Sequence, residues 1–378
     1  MAEDTGADGF RFYDNRQKYL LFVTTCDEKW VIAERIGREI GHLQPVPPCL
    51  SVFDAGMGDG TVLSHVLRHL HAAFPTVPFH VVGKEISLED VRMSLEKMAD
   101  RLFEHPQMVF TATNLFYREA PRLALETRDA SAVNWIEVAL EGNRARDFAE
   151  QIRALQPVLS DGWQVRASPR TGNLVYEKPS ALVLYRADQR FALDRVVPQR
   201  GGPLPGYDLI IVSQPYRARA PLDFKAGRVL APLTRALAQG GRLVAVQSYG
   251  DDPGLEIIRR IWPDEDPFRH KSRDLIAALR AHLGGEAGRY AFDRGAASDS
   301  MFRYHMYMLP SEVAGSIGTS TLLAAWNAAV YVAQIEDGRL AQAMSQGDYL
   351  QATADVLHAH GGLWFNDESF VVVRTPGA

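Results

Sequence analysis

One stretch limits the possible folds more than any other: Val52-Phe53-Asp54-Ala55-Gly56-Met57-Gly58-Asp59-Gly60. A strand signal runs into three glycines at alternate positions. A helix signal follows over residues 61–74, with Val62, Leu63, Val66, Leu67 and Leu70 on one face. Glycines at such a turn allow positive φ and let a ligand approach the backbone closely. The alternation continues. Residues 79–82 read as a second strand, and Ser87-Leu88-Glu89-Asp90 has the form of a capping box for a helix running to about Phe103. Residues 108–111 form a third strand. This βαβαβ rhythm predicts an α/β fold with a doubly wound, Rossmann-like, mostly parallel sheet.

The flanks carry other patterns. Residues 15–40 are helical in period, with a break near 24–27, and end at Gly41 and the Pro45, Pro47, Pro48 cluster. About 90 residues separate Tyr117 from the next parallel strand, 209–212. Within them, 135–155 reads as helix, and 164–166, 174–176 and 182–185 read as short antiparallel strands. A structureless loop of that length is improbable, so 117–206 is expected to be an inserted α+β lobe between the third and fourth strands. A helix near 229–237, the Gly240-Gly241 turn and a strand at 243–246 resume the rhythm. Further helices are expected near 254–262, 275–283, 322–335 and 349–358, with strands at 302–308 and 370–373.

Composition narrows the class. The 378 residues include 41 Lys+Arg and 46 Asp+Glu, a net charge of −5, with 46% hydrophobic and 23% charged residues. These values exclude disorder and collagen-like repeats. The acidic balance speaks against nucleic acid as a partner. Cys26 and Cys49 form no Cys-x-x-Cys pair, so no metal site is expected and both are read as reduced thiols. Residues 1–8 read as a disordered lead without the basic and apolar regions of a secretory signal. The apolar stretch 322–333 is too short to span a bilayer. The expected location is cytoplasmic, with no membrane partner. A homo-oligomer is left open.

Glu85 lies just past the second strand, 31 positions after Asp54. A carboxylate there can accept hydrogen bonds from both hydroxyls of a ribose. The alternative is a solvated charge at a helix N-terminus. Glycine turn and acid together point to an adenosine-containing ligand.

At this point the sequence resembles the class I S-adenosylmethionine-dependent methyltransferases. Asp54, Gly56, Gly58 and Gly60 match that family's acid and Gly-x-Gly-x-Gly motif; the dinucleotide fingerprint spaces its third glycine one residue later. Val81-Val82-Gly83-Lys84-Glu85-Ile86-Ser87 resembles its second motif. Asn114 stands where the family usually has Asp, beside the adenine. Residues 237–243 resemble its turn into the fifth strand. The resemblance covers about 50–114 and 207–246. It implies a seven-stranded sheet, S-adenosyl-L-methionine as cofactor, and Asp54, Gly56, Gly58, Gly60, Glu85, Ile86, Asn114 and Ser213 as cofactor-binding residues. By analogy it also implies a helical lid (1–49, with Asn15, Lys18 and Tyr19) and a methyltransferase domain (50–116 and 207–378); the insertion (117–206) lies outside the resemblance and is expected to wall the acceptor pocket as a substrate lobe.

Ser213-Gln214-Pro215-Tyr216 follows the fourth strand and looks like the Asn/Asp/Ser-Pro-Pro-Tyr/Phe motif of amino-directed methyltransferases, with Gln214 in place of the first Pro. The resemblance assigns Ser213, Gln214 and Tyr216 to the acceptor. Pro215 is expected to hold Gln214 extended. Methyl transfer from a sulfonium has a neutral leaving group, so positioning dominates, and no residue identifies itself as a general base. The expected activity is methyl transfer to a small molecule, with an amino nitrogen as one candidate. The alternatives are methylation of a protein or nucleic acid, a non-catalytic binding partner, and aminopropyl transfer. His270, His305 and His360, the 364–369 segment (read as a hairpin with buried aromatics) and Arg144 and Arg146 (read as a solvated helix face) are secondary candidates.

Overall fold

The computed structural model describes residues 16–375 and 377, apart from 127–131, 170–173 and 296–299. Asn15, the 1–8 lead and most of the 169–173 turn lie outside the described residues.

Helices α1 (Arg16–Thr25) and α2 (Glu28–Ile40) are separated at Cys26-Asp27, where the periodicity breaks. The break is clipped to a distant strand: Asp27 N–H donates to the His305 carbonyl at 3.0 Å, and His305 N–H donates to Asp27 Oδ1 at 2.6 Å. Ile32, Ile36 and Ile40 recur every fourth residue along α2 and are buried in the main core with Leu63, Val66 and Leu67. The N-terminal segment is therefore not a lid throughout, because α2 belongs to the core.

Strand β1 (Leu50–Asp54), helix α3 (Thr61–Ala73), β2 (Phe79–Lys84), α4 (Leu88–Glu104) and β3 (Met108–Thr113) follow in the expected order. The three strands are parallel neighbours and every residue in them is buried. The Ser87 hydroxyl caps α4, accepting from Asp90 N–H at 3.3 Å.

The insertion departs from expectation. Residues 134–140 form strand β4 (Asn134–Leu140), and only then does helix α5 (Ala145–Ala154) begin. Trp135, Ile136 and Val138 favour a strand once a neighbour exists to pair with. That neighbour is β7 (Ser180–Arg186), which lies beyond helix α6 (Gln156–Gly162) and the β5 (Val165–Ala167)–β6 (Leu174–Tyr176) hairpin. β7 runs antiparallel to β3, and β4 parallel to β7. The insertion is thus an extension of the main sheet rather than a lobe, and among the described residues the sheet has ten strands rather than seven.

The remaining strands are β8 (Tyr207–Ser213), β9 (Leu237–Ser248), β10 (Tyr290–Asp293), β11 (Met301–His305) and β12 (Trp364–Arg374). The order is β10-β12-β9-β8-β1-β2-β3-β7-β4, with β11 on β12. Gly240-Gly241 lies inside β9, next to a register shift against β8, not at a turn before it. A Cβ on Gly241 would stand 2.4 Å from the Tyr207 carbonyl oxygen, so glycine permits the irregularity. Residues 364–369 are the first half of β12 and not a separate hairpin. β10 and the helix Asp337–Gln346 have no counterpart in the sequence reading.

β2 and β3 lie on one side of β1, and β8 and β9 on the other. The connections therefore diverge at the carboxyl ends of β1 and β8, where an open α/β sheet forms a ligand crevice. No helix among the described residues is long and apolar enough to cross a membrane.

Candidate functional site

Three glycines after β1 make three different contacts. A Cβ on Gly56 would lie 3.2 Å from Pro215 Cβ, so this glycine lets the turn close on the loop after β8. Gly58 has φ +53° and donates its N–H to Glu85 Oε2 at 3.0 Å. Gly60, at φ +77°, is pressed against α4: a Cβ there would lie 2.4 Å from Ser94 Oγ and 2.9 Å from Ser94 Cα. Met57, between them, turns into the core, and its sulfur accepts from the Ser94 hydroxyl at 3.0 Å.

Glu85 sits where the sequence places it. Its Oε1 accepts from Ile86 N–H at 2.7 Å and Ser87 N–H at 2.9 Å. One carboxylate thus joins the end of β2, the start of α4 and the glycine turn. Trp163, at the end of α6, donates its indole N–H to the Glu85 carbonyl at 2.9 Å. Sequence reading missed this anchor from the insertion.

Asp54 is 2% exposed and accepts from Gly56 N–H at 3.1 Å. Burial pushes its pKa up to about 7, against the Gly56 hydrogen bond, and the Glu85 charge adds to the rise. A carboxyl with a raised folded-state pKa stabilises the fold below its unfolded pKa, and that contribution is lost as pH rises through the folded value. Asp54→Asn is therefore expected to change the pH dependence of stability between about pH 4 and 7. Urea midpoints measured across that range should show wild type losing stability relative to the variant by a few kcal/mol, on the order of 1.4 kcal/mol per pKa unit. Parallel curves would refute the assignment.

Above the turn sits α1. The Tyr19 hydroxyl lies 3.5 Å from where a Gly58 Cβ would stand, and Tyr331 packs beside it with ring centroids 5.9 Å apart. Lys29 Nζ lies 5.4 Å from the Tyr19 ring centroid and 3.6 Å from Glu28 Oε2. Burial alone would lower the Lys29 pKa. Tyr19, Glu28 and Asp59 outweigh it and hold the ammonium well above its ordinary value. Of the expected lid residues, Tyr19 covers the glycine turn, whereas Lys18 pairs with Asp337 at the periphery.

Asn114 does not serve as expected. It is 1% exposed, its amide N–H groups donate to the Gly162 and Lys178 carbonyls at 2.9 Å, and its Oδ1 accepts from Ser180 N–H at 2.8 Å. The oxygen that was to face an adenine instead fastens the insertion to β3. Ser213 ends β8 at the crevice. Gln214 has φ +47°, the opposite of the extended backbone expected before Pro215. A non-glycine residue in that region stores about 1–3 kcal/mol, and such strain clusters at functional sites. Tyr216 lines a cavity of about 20 Å³ together with Gln214, Lys225 and Ser248. It is 7% exposed, with Lys225 Nζ 5.2 Å from its ring centroid, so it is a packed ring rather than an open platform.

The Gln214 amide nitrogen lies 3.4 Å from both Glu28 Oε1 and Asp367 Oδ2. Sequence reading missed Glu28 and reached Asp367 only as part of the 364–369 segment, a secondary candidate. The available signal was acids flanked by apolar residues, as in Phe365-Asn366-Asp367-Glu368-Ser369-Phe370. The secondary candidates are mostly structural. His305 clips the α1–α2 break through its backbone while its side chain is exposed, the His360 ring pairs with Glu256 at 2.7 Å, and Arg146 pairs with Glu150 on an exposed helix face.

Fold and site together define an open, doubly wound α/β protein with an acid-and-glycine crevice at its switch point. No family model matches the sequence, and no curated protein matches it. Among solved structures, the chain is similar to a protein described as a putative sarcosine dimethylglycine methyltransferase from Galdieria sulphuraria. That match has 8% identity and a TM-score of 0.36, covering 92% of this chain and 85% of that one. It is also similar to a geranyl diphosphate methyltransferase in complex with geranyl diphosphate and sinefungin, at 13% identity, TM-score 0.33 and coverage of 90% and 78%. A third is the plantazolicin methyltransferase in complex with SAH, at 8% identity, TM-score 0.33 and coverage of 96% and 90%. Such scores carry no weight for activity, which rests on the site.

Proposed function

We propose that the chain is an S-adenosylmethionine-dependent methyltransferase acting on a small molecule that presents an amino nitrogen. The observation that carries this reading is the Glu85 carboxylate. It is fixed by three backbone N–H groups at the end of β2, and one of them belongs to the glycine turn after β1.

The donor set suits the cofactor. Three of the roughly four lone-pair sites on Glu85 accept backbone N–H groups, which leaves one on Oε2 for a ribose hydroxyl. Lys29 would take a carboxylate, and Asp54, ionising beside a cation, would take an ammonium. Gly58 leaves open the space beneath Tyr19 that any larger residue would occupy. When bound, the cofactor supplies a methyl group on a sulfonium with a neutral leaving group. This chain's own residues then bind, orient and exclude water: Tyr19 and Tyr331 cover the turn, and Ser213 and Gln214 border the acceptor side.

Isothermal titration of the full chain with S-adenosylhomocysteine is expected to give saturable one-site binding. Incubation with cofactor carrying a labelled methyl group and a metabolite extract should mark an amine by mass spectrometry. No binding of S-adenosylhomocysteine would refute the reading.

A further inference from the structure

Glu28 on α2 and Asp367 on β12 are 6% and 0% exposed, and one amide nitrogen, that of Gln214, lies 3.4 Å from each. Two neighbouring carboxyls away from water do not both ionise at neutral pH. Burial pushes both upward, Asp367 well above the usual range, and Glu28 and Asp252 raise it further. The groups bearing on the pair are Lys29 beside Glu28, Asp59 from the glycine turn, Asp252 from the loop after β9, Tyr304 from β11, and Ser248, the cross-strand neighbour of Asp367 on β9, whose hydroxyl favours the charged form of Asp367. Lys29 is shared with Tyr19 and Asp59, and the charges acting on Asp367 are acidic.

A second observation is independent of the acids' proximity. Among the described residues, Asp367 Oδ1 and the Tyr304 hydroxyl, both on fully buried residues, have no hydrogen-bond partner. A buried polar atom left this way costs about 1–3 kcal/mol and calls for an explanation. Neighbouring acids do not share the deficit. Glu368 accepts from Gln247 and Ser272, and Asp252 accepts from Leu255 and Asn366. The Tyr304 hydroxyl lies in the field of Glu28 and Asp367, so the open acceptor and the open hydroxyl belong to one locus. That locus adjoins the crevice through Glu28 and Lys29, and it meets the loop after β8 at the strained Gln214.

We propose that Glu28 and Asp367, bridged by Gln214, form the subsite that holds the acceptor's ammonium group and takes its proton. This deepens the methyltransferase reading and rests on it. An ammonium supplies the N–H donor that Asp367 Oδ1 lacks and a positive charge on the Asp367 side of the pair, Lys29 lying beside Glu28. A carboxylate or phosphate would meet three acids. On binding, the cation displaces the proton held by the pair to solvent. The nitrogen's own N–H bond then breaks, its electron pair stays on nitrogen, and the proton moves to the vacated carboxylate oxygen. The neutral amine so formed has the lone pair that attack on a methyl donor requires.

The test titrates n-butylammonium chloride into the full chain saturated with S-adenosylhomocysteine, in two buffers of different ionisation heat. Saturable binding is expected, with an enthalpy that reports proton release; sodium butyrate should not bind. Asp367→Asn should weaken butylammonium by about tenfold or more and abolish the proton release. It should leave S-adenosylhomocysteine bound with wild-type affinity. Glu28→Gln repeats the amine titration should Asp367→Asn fail to fold. Equal butylammonium binding by wild type and variant, or none by wild type, overturns the subsite while the methyltransferase reading stands. Failure of wild type to bind S-adenosylhomocysteine overturns both.

Discussion

Glu85→Ala should reduce the affinity for S-adenosylhomocysteine by about 10- to 100-fold, from the loss of a hydrogen bond to a charged group at about 1.5–3 kcal/mol. The effect has two parts. The carboxylate is the proposed ribose acceptor, and it also fixes the Gly58, Ile86 and Ser87 N–H groups that shape the crevice. Glu85→Gln separates them. Its amide oxygen can keep Ile86 and Ser87, while its NH₂ faces the Gly58 N–H donor, so an intermediate loss is expected. Calorimetric titration on protein shown to be folded by circular dichroism measures both variants. Wild-type affinity in the alanine variant would remove the ribose role and, with it, the main support for the proposed activity.

Gly60→Ala should destabilise the fold by about 3 kcal/mol. A left-handed backbone costs an L-residue roughly 1–2 kcal/mol, and overpacking adds about 1–3 kcal/mol. The second cost arises because the new Cβ would meet Ser94 Cα, which cannot rotate away as a side chain can. Gly240→Ala is the matched comparison. Its φ is +75°, nearly that of Gly60, but a Cβ there meets nothing within 4 Å. It should lose only the conformational part, about 1 kcal/mol. Urea unfolding of the two variants measures the difference, and equal losses would show that α4 yields at the contact.

What the sequence made legible was local. The βαβαβ unit, the α1–α2 break, the Ser87 cap and the position of Glu85 all follow from periodicity and turn chemistry within short windows. What stayed hidden depends on pairing between distant segments. Residues 135–140 read as helix because β7, the strand that makes them a strand, lies some 40 residues on. Asn114 looked free at the end of β3 because nothing local shows Ser180 arriving beside it. Pro215 favours an extended Gln214 by local sterics, and the surrounding contacts override it. Glu28, Gln214 and Asp367 meet only because α2, the loop after β8 and the start of β12 converge on one end of the sheet.

The pairing of β7 with β3 also bears on solubility. Without it, Met108–Thr113 would be an outermost strand, apolar and uncharged, with unpaired backbone groups open to any other chain. The outermost position falls instead to β4, which carries Glu137 at its centre, where Arg190 and the Tyr185 hydroxyl both bind it. A charged boundary strand discourages strand-to-strand association. The inserted residues thus act as a hem on the sheet, which argues against treating them as a detachable module when the chain is shortened.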